Sequence, residues 1–231
     1  MSDFLNTLKT LQVDTDPIVS RIIEWSNINT HGTNVSGITA YLSEIETAFK
    51  ELNPDLIQRE SVPEQSKITQ NGGHLHYALG DCLIIRKRPD AIYKVLLSGH
   101  ADTVFSAESA FQNASIDQSK LRGPGVADMK GGIALMLEAL KLYESSDIPN
   151  KVGWTVLINS DEELGSTASK KLLIEEAKTH NVGLCYEPAL PNGNLINLRK
   201  GSMTIVLTCK GKSTHAGRHF HEIGRAHVWT P

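Results

Sequence analysis

One short stretch limits the folds open to this chain more than any other: an apolar run that leads directly into a histidine and an aspartate. Residues 94–105 read KVLLSGHADTVF. The run at residues 95–97 is typical of a strand buried on both faces of a sheet. His100 and Asp102 follow it, and open α/β sheets bind their ligands at the carboxyl ends of such strands. Because neutral imidazole binds metals well and a nearby carboxylate can fix its tautomer, we interpret this stretch as a candidate metal site.

The same order of elements recurs along the chain. Apolar runs at 152–158 and 182–186 have the character of buried strands, and segments with helical spacing at 130–143 and 166–180 precede them. Alternating strands and helices predict an α/β fold, here a mixed sheet flanked by helices. Further helices are predicted at 16–30 and 34–52, and further strands at 83–87, 93–97, 194–198 and 203–210.

Acidic residues lie next to these predicted elements. Asp128 precedes a helix, Glu162 and Glu163 follow one strand, and Glu187 follows the next. Taken singly, each favours a helix cap or a surface ion pair, but together with His100 they indicate a metal site. One imidazole with several carboxylates suits Zn²⁺, and also Mn²⁺ or Co²⁺. In a site with two metals, Asp128 could bridge the ions, Glu163 and Glu187 could be terminal ligands, and Glu162 could accept a proton from water.

Composition and charge argue against several kinds of partner. The 231 residues carry a net charge of −3, and no apolar run approaches the roughly 20 residues that a membrane span needs. We therefore predict neither nucleic acid nor a membrane as partner. The first residues lack the pattern of a signal peptide. The three cysteines are far apart in the sequence, which is typical of free thiols in a reducing compartment, so a cytoplasmic protein is predicted.

Five segments carry a family resemblance. They read, in order, HADTVF, GPGVADMKGG, NSDEELGS, YEPA and RKGSMTIVLTCKGKSTHAG. Over residues 90–221 the chain resembles the acetylornithine deacetylase and glutamate carboxypeptidase family of co-catalytic zinc exopeptidases and deacylases. The resemblance implies a catalytic domain with a mixed sheet flanked by helices, interrupted by a smaller α+β lid domain that commonly forms a homodimer. It also implies two zinc ions and the hydrolysis of an amide bond.

The resemblance implies a role for each residue of the site. The metal ligands would be His100, Asp128, Glu163 and Glu187, with Asp128 bridging the two ions. Asp102 would orient the first of these ligands, and Glu162 would be the general base. His215, in the segment STHAG, matches the lid histidine that helps to polarise the scissile carbonyl, often in the active site of the partner subunit.

We expect the substrate to be a small peptide or an N-acyl amino acid with a free carboxylate. A carboxypeptidase-like activity is favoured, because the segments RKGSM and HAGR most resemble that branch of the family. Two alternatives stay open: an N-acyl amino acid deacylase of the acetylornithine deacetylase type, and a catalytically inactive fragment that binds metal. Metal content alone does not separate these alternatives, whereas turnover does.

The end of the sequence departs from the family pattern. In the family the lid continues further and a later histidine completes the ligand set; we find neither before residue 231. A back-translation of residues 222–228 resembles a sequencing adapter, so we interpret residues 222–231 as a non-native tail. We expect an incomplete catalytic domain at 1–200 and the beginning of a lid or dimerisation domain at 201–221. These 231 residues alone are expected to be poorly soluble, to bind at most one metal tightly and to hydrolyse nothing measurable.

Overall fold

The computed structural model describes residues 13–69, 72–146, 152–198, 200, 201, 203 and 205. The helices in these ranges are α1 (Asp16–Ser26), α2 (Val35–Phe49), α3 (Gly131–Glu144) and α4 (Lys170–Lys178). The strands are β1 (Leu56–Glu60), β2 (Gln65–Ile68), β3 (His74–Tyr77), β4 (Cys82–Lys87), β5 (Tyr93–His100), β6 (Ser115–Asp117), β7 (Lys120–Arg122), β8 (Val152–Asn159) and β9 (Val182–Cys185). Three short turns complete the set: 3₁₀ turns at Lys50–Leu52 and Glu162–Leu164, and a π-helical turn at Val126–Lys130.

A mixed five-stranded sheet organises the chain, with the strand order β1-β4-β8-β5-β9. Strand β5 pairs in parallel with both β8 and β9, whereas β4 pairs antiparallel with β8 and β1. The prediction of a mixed sheet flanked by helices is therefore confirmed. Because β5, β8 and β9 run in the same direction, their carboxyl ends share one edge of the sheet, and the segments that follow them are brought together there.

The main hydrophobic core lies between one face of the sheet and helices α1, α2 and α3. It is filled by fully buried side chains such as Ile45, Phe49 and Leu137 from the helices, and Leu83 and Val156 from the sheet. Alternate residues of a strand point to opposite faces. The two faces are thus covered by different helices, as the fold of an α/β domain requires.

The second face carries a smaller cluster. Ile84, Leu96 and Leu157 of the sheet are buried there and pack against Leu172 and Leu173 of α4. Helix α4 has no fully buried residue of its own. In the part of the chain that the structure describes, this face is accordingly the less deeply covered of the two.

Local signals explain where the first two helices begin. Pro17 occupies the first turn of α1, where its missing N–H group is not needed. The side chain of Asn34 accepts a hydrogen bond from the backbone N–H of Gly37 at 3.1 Å and caps α2. Both helices begin within one residue of the predicted position.

Helix α1 is shorter than predicted. It ends at Ser26, not at residue 30, because the chain then runs beside the end of β5. There the carbonyl of Thr30 accepts a hydrogen bond from the backbone N–H of Thr103 at 2.8 Å, and His31 forms an isolated parallel bridge with Thr103. A long-range pairing thus replaces the last helical turn that the local pattern predicts.

The prediction of a strand at residues 194–198 is wrong. This segment is irregular, and Leu195 and Leu198 are 94% and 86% exposed. Its alternating pattern has no partner strand among the described residues, and a strand without a partner leaves its backbone groups unpaired. Most of the strand predicted at 203–210 lies outside the described residues.

Two hairpins and a division into units complete the description. Strands β2 and β3 form one two-stranded sheet, and β6 and β7 form another. The chain divides into one unit of residues 1–65 and 77–188 and a second of residues 66–76 and 189–231. All the strands of the mixed sheet belong to the first unit. The predicted domain boundary near residue 200 stays a prediction.

None of the helices in the described ranges is both long and apolar enough to cross a membrane.

Candidate metal centre

His100 is the last residue of β5 and its side chain is 1% exposed. Its Nδ1 lies 2.9 Å from the backbone carbonyl oxygen of Asp102. Because a carbonyl can only accept a hydrogen bond, Nδ1 carries a proton, and Nε2 is the ring nitrogen that a metal ion could use. Nε2 lies 2.9 Å from Oδ1 of Asp128 and 3.7 Å from Oε1 of Glu187. Nε2 therefore points at two carboxylates.

Strand β5 extends beyond the predicted apolar run as far as His100, and contacts with Met129 and with β8 hold this extension in place. Gly99 leaves room for Met129, since a Cβ atom at Gly99 would lie 2.6 Å from the Cε atom of Met129. The sulfur of Met129 accepts a hydrogen bond from the backbone N–H of His100 at 3.1 Å. Pairing with β8 also continues up to His100 and Asn159. These contacts hold the imidazole at the edge of the sheet.

Asp102 is fully buried and connects two strand ends. Its Oδ1 atom lies 3.4 Å from Nδ1 of His100. The same carboxylate accepts hydrogen bonds from the backbone N–H groups of Glu162 at 3.1 Å and Glu163 at 2.9 Å. Asp102 thus connects the imidazole at the end of β5 to the turn after β8. The orienting role predicted for it stays a prediction.

Asp128 lies in the π-helical turn that precedes α3. Its backbone angles are not helical, with φ −125° and ψ 96°, and its side chain is about half exposed. The Asp128–Met129 peptide bond is cis. The prediction that Asp128 stands just before a helix is therefore confirmed, and its carboxylate meets the imidazole of His100 across the sheet edge.

Glu187 reaches the site through the segment after β9. The backbone N–H of Tyr186 donates to the carbonyl of Ser98 at 3.1 Å, which extends the pairing of β9 with β5. The carbonyl oxygen of Tyr186 lies so close to α3 that a Cβ atom at Gly132 would be 2.0 Å from it. The absence of a side chain at Gly132 allows Glu187 to approach Asp128.

The structure brings three of the four predicted metal ligands together. One ligand atom each from His100, Asp128 and Glu187 lie within 4.8 Å of one another. Glu163, the fourth, is not part of this group. It sits nearby in the 3₁₀ turn after β8, partly buried, and the adjacent Glu162 is exposed. His215 lies outside the residues that the structure describes.

The electrostatics of the cluster favour a positive charge at its centre. Burial by itself would lower the pKa of His100, but the hydrogen bond to Asp102 and the charges of Asp102 and Glu187 outweigh it and raise the pKa to about 9. Burial, and then the negative charge of Asp128, raise the pKa of Glu163. Burial also raises the pKa of Glu187, with a further contribution from Asp128. Such a set of crowded oxygens with one imidazole is the donor set that divalent cations prefer.

No basic side chain competes for these carboxylates within the described ranges. There, Asp128 and Glu187 form ion pairs with His100 alone. Crowded carboxylates without lysine or arginine partners disfavour their own charged forms, and a bound cation relieves this repulsion. The residues present therefore fit a divalent metal ion.

Sequence reasoning missed Lys130. Its side chain is buried, and its Nζ atom donates to the carbonyl oxygens of Trp25 at 3.0 Å and Ile28 at 2.7 Å. Burial lowers the pKa of Lys130 to about 7, and even the neutral amine has enough N–H groups for both carbonyls. The glycine pair that follows Lys130 was the available signal, since residues without side chains at a helix start allow other segments to approach closely.

Comparison with known proteins places this site in a family. The pattern of peptidase family M20/M25/M40 matches residues 96–222, more than half of the chain and all of the described site. The chain belongs to this family.

Two proteins of known name are similar to this chain in sequence. Carboxypeptidase G2 of Pseudomonas sp. (strain RS-16) is 30% identical over 218 residues, which cover 92% of this chain and 49% of the relative. Succinyl-diaminopimelate desuccinylase 2 of Shewanella loihica (strain ATCC BAA-1088 / PV-4) is 29% identical over 147 residues, 58% of this chain and 39% of the relative. The chain thus spans about half the length, or less, of these relatives.

A solved structure shares the fold. The crystal structure of an M20 family metallo-carboxypeptidase from Sulfolobus solfataricus superposes with a TM-score of 0.58 at 17% identity, and covers 77% of this chain and 39% of that one. At this level of identity the likeness concerns the fold alone. It agrees with the mixed sheet and flanking helices described above.

Proposed function

We propose that this protein is a metal-dependent hydrolase that cleaves an amide bond in a small peptide or an N-acyl amino acid. The observation that carries the proposal is the convergence of His100, Asp128 and Glu187, whose ligand atoms lie within 4.8 Å of one another at the carboxyl edge of the sheet. Family membership supports the same reaction class.

We assign two zinc ions to the complete centre, with Co²⁺ or Mn²⁺ as substitutes. His100, Glu163 and Glu187 would be terminal ligands, and Asp128 would bridge. The bridging role is supported by the position of Asp128, whose carboxylate is 2.9 Å from the imidazole and whose charge also raises the pKa of Glu163. Asp102 would fix the imidazole so that Nε2 faces the metal.

The chemistry needs a base in addition to the ligands. A divalent cation held here would supply Lewis acidity, which lowers the pKa of water and polarises a carbonyl. Glu162 is exposed in the turn that Asp102 holds, so its carboxylate is free to act as that base. It would take a proton from water as the new C–O bond forms, and would deliver it to the nitrogen as the C–N bond breaks. His215 is proposed to polarise the carbonyl of the substrate.

The relatives bear on the substrate class. One is named a carboxypeptidase and another a desuccinylase, so we propose a substrate whose amide bond lies next to a free carboxylate. The carboxypeptidase-like reaction is the first choice, because that relative matches over most of the chain. Deacylation of an N-acyl amino acid is the second, supported by the desuccinylase relative. We also propose a cytoplasmic protein that forms a homodimer.

Metal analysis and turnover of the protein expressed from its source gene test the proposal. Dipeptides and N-acyl amino acids are offered in the presence of zinc, with Glu162→Gln as the test variant. We expect Glu162→Gln to keep its metal and to lose turnover by about 10²–10⁴-fold, the usual contribution of a general base. Glu175→Gln changes an exposed glutamate of α4 and serves as the matched control.

Each result separates the alternatives. Bound zinc without turnover in the unsubstituted protein would favour the inactive metal-binding alternative over the hydrolase. Loss of metal from Glu162→Gln in proportion to activity would show that Glu162 is a ligand, and that the roles of Glu162 and Glu163 are exchanged.

A further inference from the structure

Lys130 occupies an unusual position for a lysine. Its side chain is 1% exposed, whereas lysine is almost never fully buried unless it is paired with an opposite charge. No carboxylate lies within ion-pair distance of its Nζ atom among the described residues. The contacts that Nζ makes instead are with two backbone carbonyls and one aromatic ring. Lys130 is thus buried with backbone and aromatic partners in place of the usual carboxylate.

The two carbonyls belong to the end of helix α1. Trp25 lies in the last turn of α1, and Ile28 lies two residues beyond its end. The carbonyl of Trp25 also accepts from the backbone N–H of Ile28 at 3.2 Å. Carbonyl groups at a helix C-terminus can in addition accept from a lysine amino group. The same Nζ atom lies 4.8 Å from the centre of the Tyr41 ring in α2. The Lys130 side chain thus fastens its own turn to two helices of the core.

The backbone of Lys130 closes the turn that carries Asp128. Its N–H group donates to the carbonyl of Gly125 at 2.7 Å. Gly125 has a φ of 70°, and a Cβ atom there would lie 3.1 Å from side-chain atoms of both Lys130 and Thr103. The turn is therefore closed on itself at Lys130, and it is packed against the segment that follows β5.

Asp128 stands inside this closed turn. Its half-exposed carboxylate lies 2.9 Å from Nε2 of His100 and, in the described part of the chain, has no hydrogen bond to a group outside the cluster. The backbone of the turn therefore decides how closely the carboxylate can approach His100. One side of the turn is held by Met129, whose sulfur accepts from the N–H of His100, and the other side is held by Lys130.

We propose that Lys130 is a positioning residue for the metal centre: by anchoring its turn on the carbonyls of Trp25 and Ile28, it sets where Asp128 lies relative to His100. This inference rests on the proposed function, in which Asp128 is a shared metal ligand. Residues behind the ligands of a metal site typically change metal affinity by about 10–100-fold when they are replaced. The same loss is expected when the anchor of Lys130 is removed.

Cobalt binding provides the test, because the absorption spectrum of Co²⁺ reports the geometry of its ligands. The purified protein is compared with Lys130→Met, which keeps an unbranched apolar stem one atom shorter and loses the N–H donors. Lys130→Arg, which keeps donors, is the conservative variant. Leu140→Ala is the control for stability, since Leu140 is a buried residue of α3 near the end of the helix that lies away from Asp128.

We expect Lys130→Met to raise the Kd for Co²⁺ by about 10–100-fold and to alter the visible absorption bands of the bound ion. Lys130→Arg should recover a large part of the lost affinity. Leu140→Ala should lower the melting temperature while the Kd and the spectrum of its folded form stay unchanged. A residue that merely stabilised the fold would behave like Leu140 in all these measurements.

Two results would overturn the inference. One is a Kd and a spectrum for Lys130→Met equal to those of the unsubstituted protein, and the other is an equal rise in Kd for Leu140→Ala. If Lys130→Met does not fold, Lys130→Leu, which also lacks N–H donors at this position, takes its place, and an unchanged Kd then has the same meaning. Failure of the unsubstituted protein to bind Co²⁺ would instead refute the proposed function, and the inference with it.

Discussion

Adding one methyl group at Gly132 is expected to disrupt the metal centre from outside it. Gly132 lies in the first turn of α3, and a Cβ atom there would be 2.0 Å from the carbonyl oxygen of Tyr186. Contacts of a Cβ atom below 3.0 Å are essentially never found. In Gly132→Ala either the helix or the Tyr186 segment must therefore move by about 1 Å.

Either movement separates ligands of the proposed centre. Glu187 follows Tyr186 directly, and its Oε1 atom is 3.7 Å from Nε2 of His100. Metal–ligand distances vary by only about 0.2 Å in well-formed sites. Misplacement of a functional group by about 1 Å can reduce function by about 100-fold. We expect a loss of this size in the affinity for Co²⁺ and in kcat/KM.

Helix propensity by itself predicts that Gly132→Ala stabilises the protein. Replacing glycine by alanine within a helix normally stabilises it by roughly 0.5–1 kcal/mol. A weaker metal centre in a variant whose helix is intrinsically more stable would thus isolate the contact with Tyr186 as the cause. The measurements are a Co²⁺ titration and a melting curve for each variant.

Gly183→Ala is the matched control for this experiment. Gly183 lies in β9, the strand that leads to Glu187, and a Cβ atom there would meet nothing within 4 Å. Gly183→Ala should bind Co²⁺ as the unsubstituted protein does. The reasoning is refuted if Gly132→Ala also keeps its affinity, or if both variants lose affinity equally.

Two further predictions concern ligand roles and acid stability. Asp128→Ala should lose both metals, whereas Glu187→Ala should mainly weaken one; metal analysis that finds one ion fully retained in Asp128→Ala would exclude the bridging role. Burial alone would raise the pKa of Glu144, but hydrogen bonds led by that from Arg88 lower it to about 2. Because the pKa of Glu144 is lower in the folded state than its ordinary value, the charged carboxylate stabilises the fold. This contribution to the free energy of unfolding is present above about pH 4.5 and is lost as pH falls towards about 2. It amounts to about 2–3 kcal/mol at neutral pH. Glu144→Gln should therefore destabilise the protein at pH 7 in urea titrations and progressively less in acid; a deficit independent of pH, or an equal one in the exposed control Glu175→Gln, would contradict this.

Local pattern was enough to predict the elements that carry the site. Apolar runs mark β5, β8 and β9, and helical spacing marks the segments between them, because both periodicities follow from backbone geometry. Acidic residues at the ends of those runs could be assigned to one edge of a sheet, since parallel strands place their carboxyl ends together. In the structure, one ligand atom each of His100, Asp128 and Glu187 lie within 4.8 Å of one another at this edge.

Other features depend on contacts between distant segments, and no local pattern encodes them. Alternation at residues 194–198 predicted a strand, but this segment has no partner strand among the described residues, because a pattern specifies which face is apolar and not which strand lies beside it. Lys130 reads as an ordinary helix residue in the sequence. Its burial follows only when the end of α1 is folded against the turn that holds Asp128, more than a hundred residues further along the chain.

The close approach of Tyr186 to Gly132 has the same origin. The glycine at position 132 is visible in the sequence and permits a close contact there. Which segment makes that contact depends on the strand order β8-β5-β9, which places the residues after β9 beside α3. The types of donor atom at the proposed centre are therefore set by the amino-acid sequence. Their distances are set by packing, because side chains held by interlocked segments can be placed within fractions of an ångström only after those segments have met.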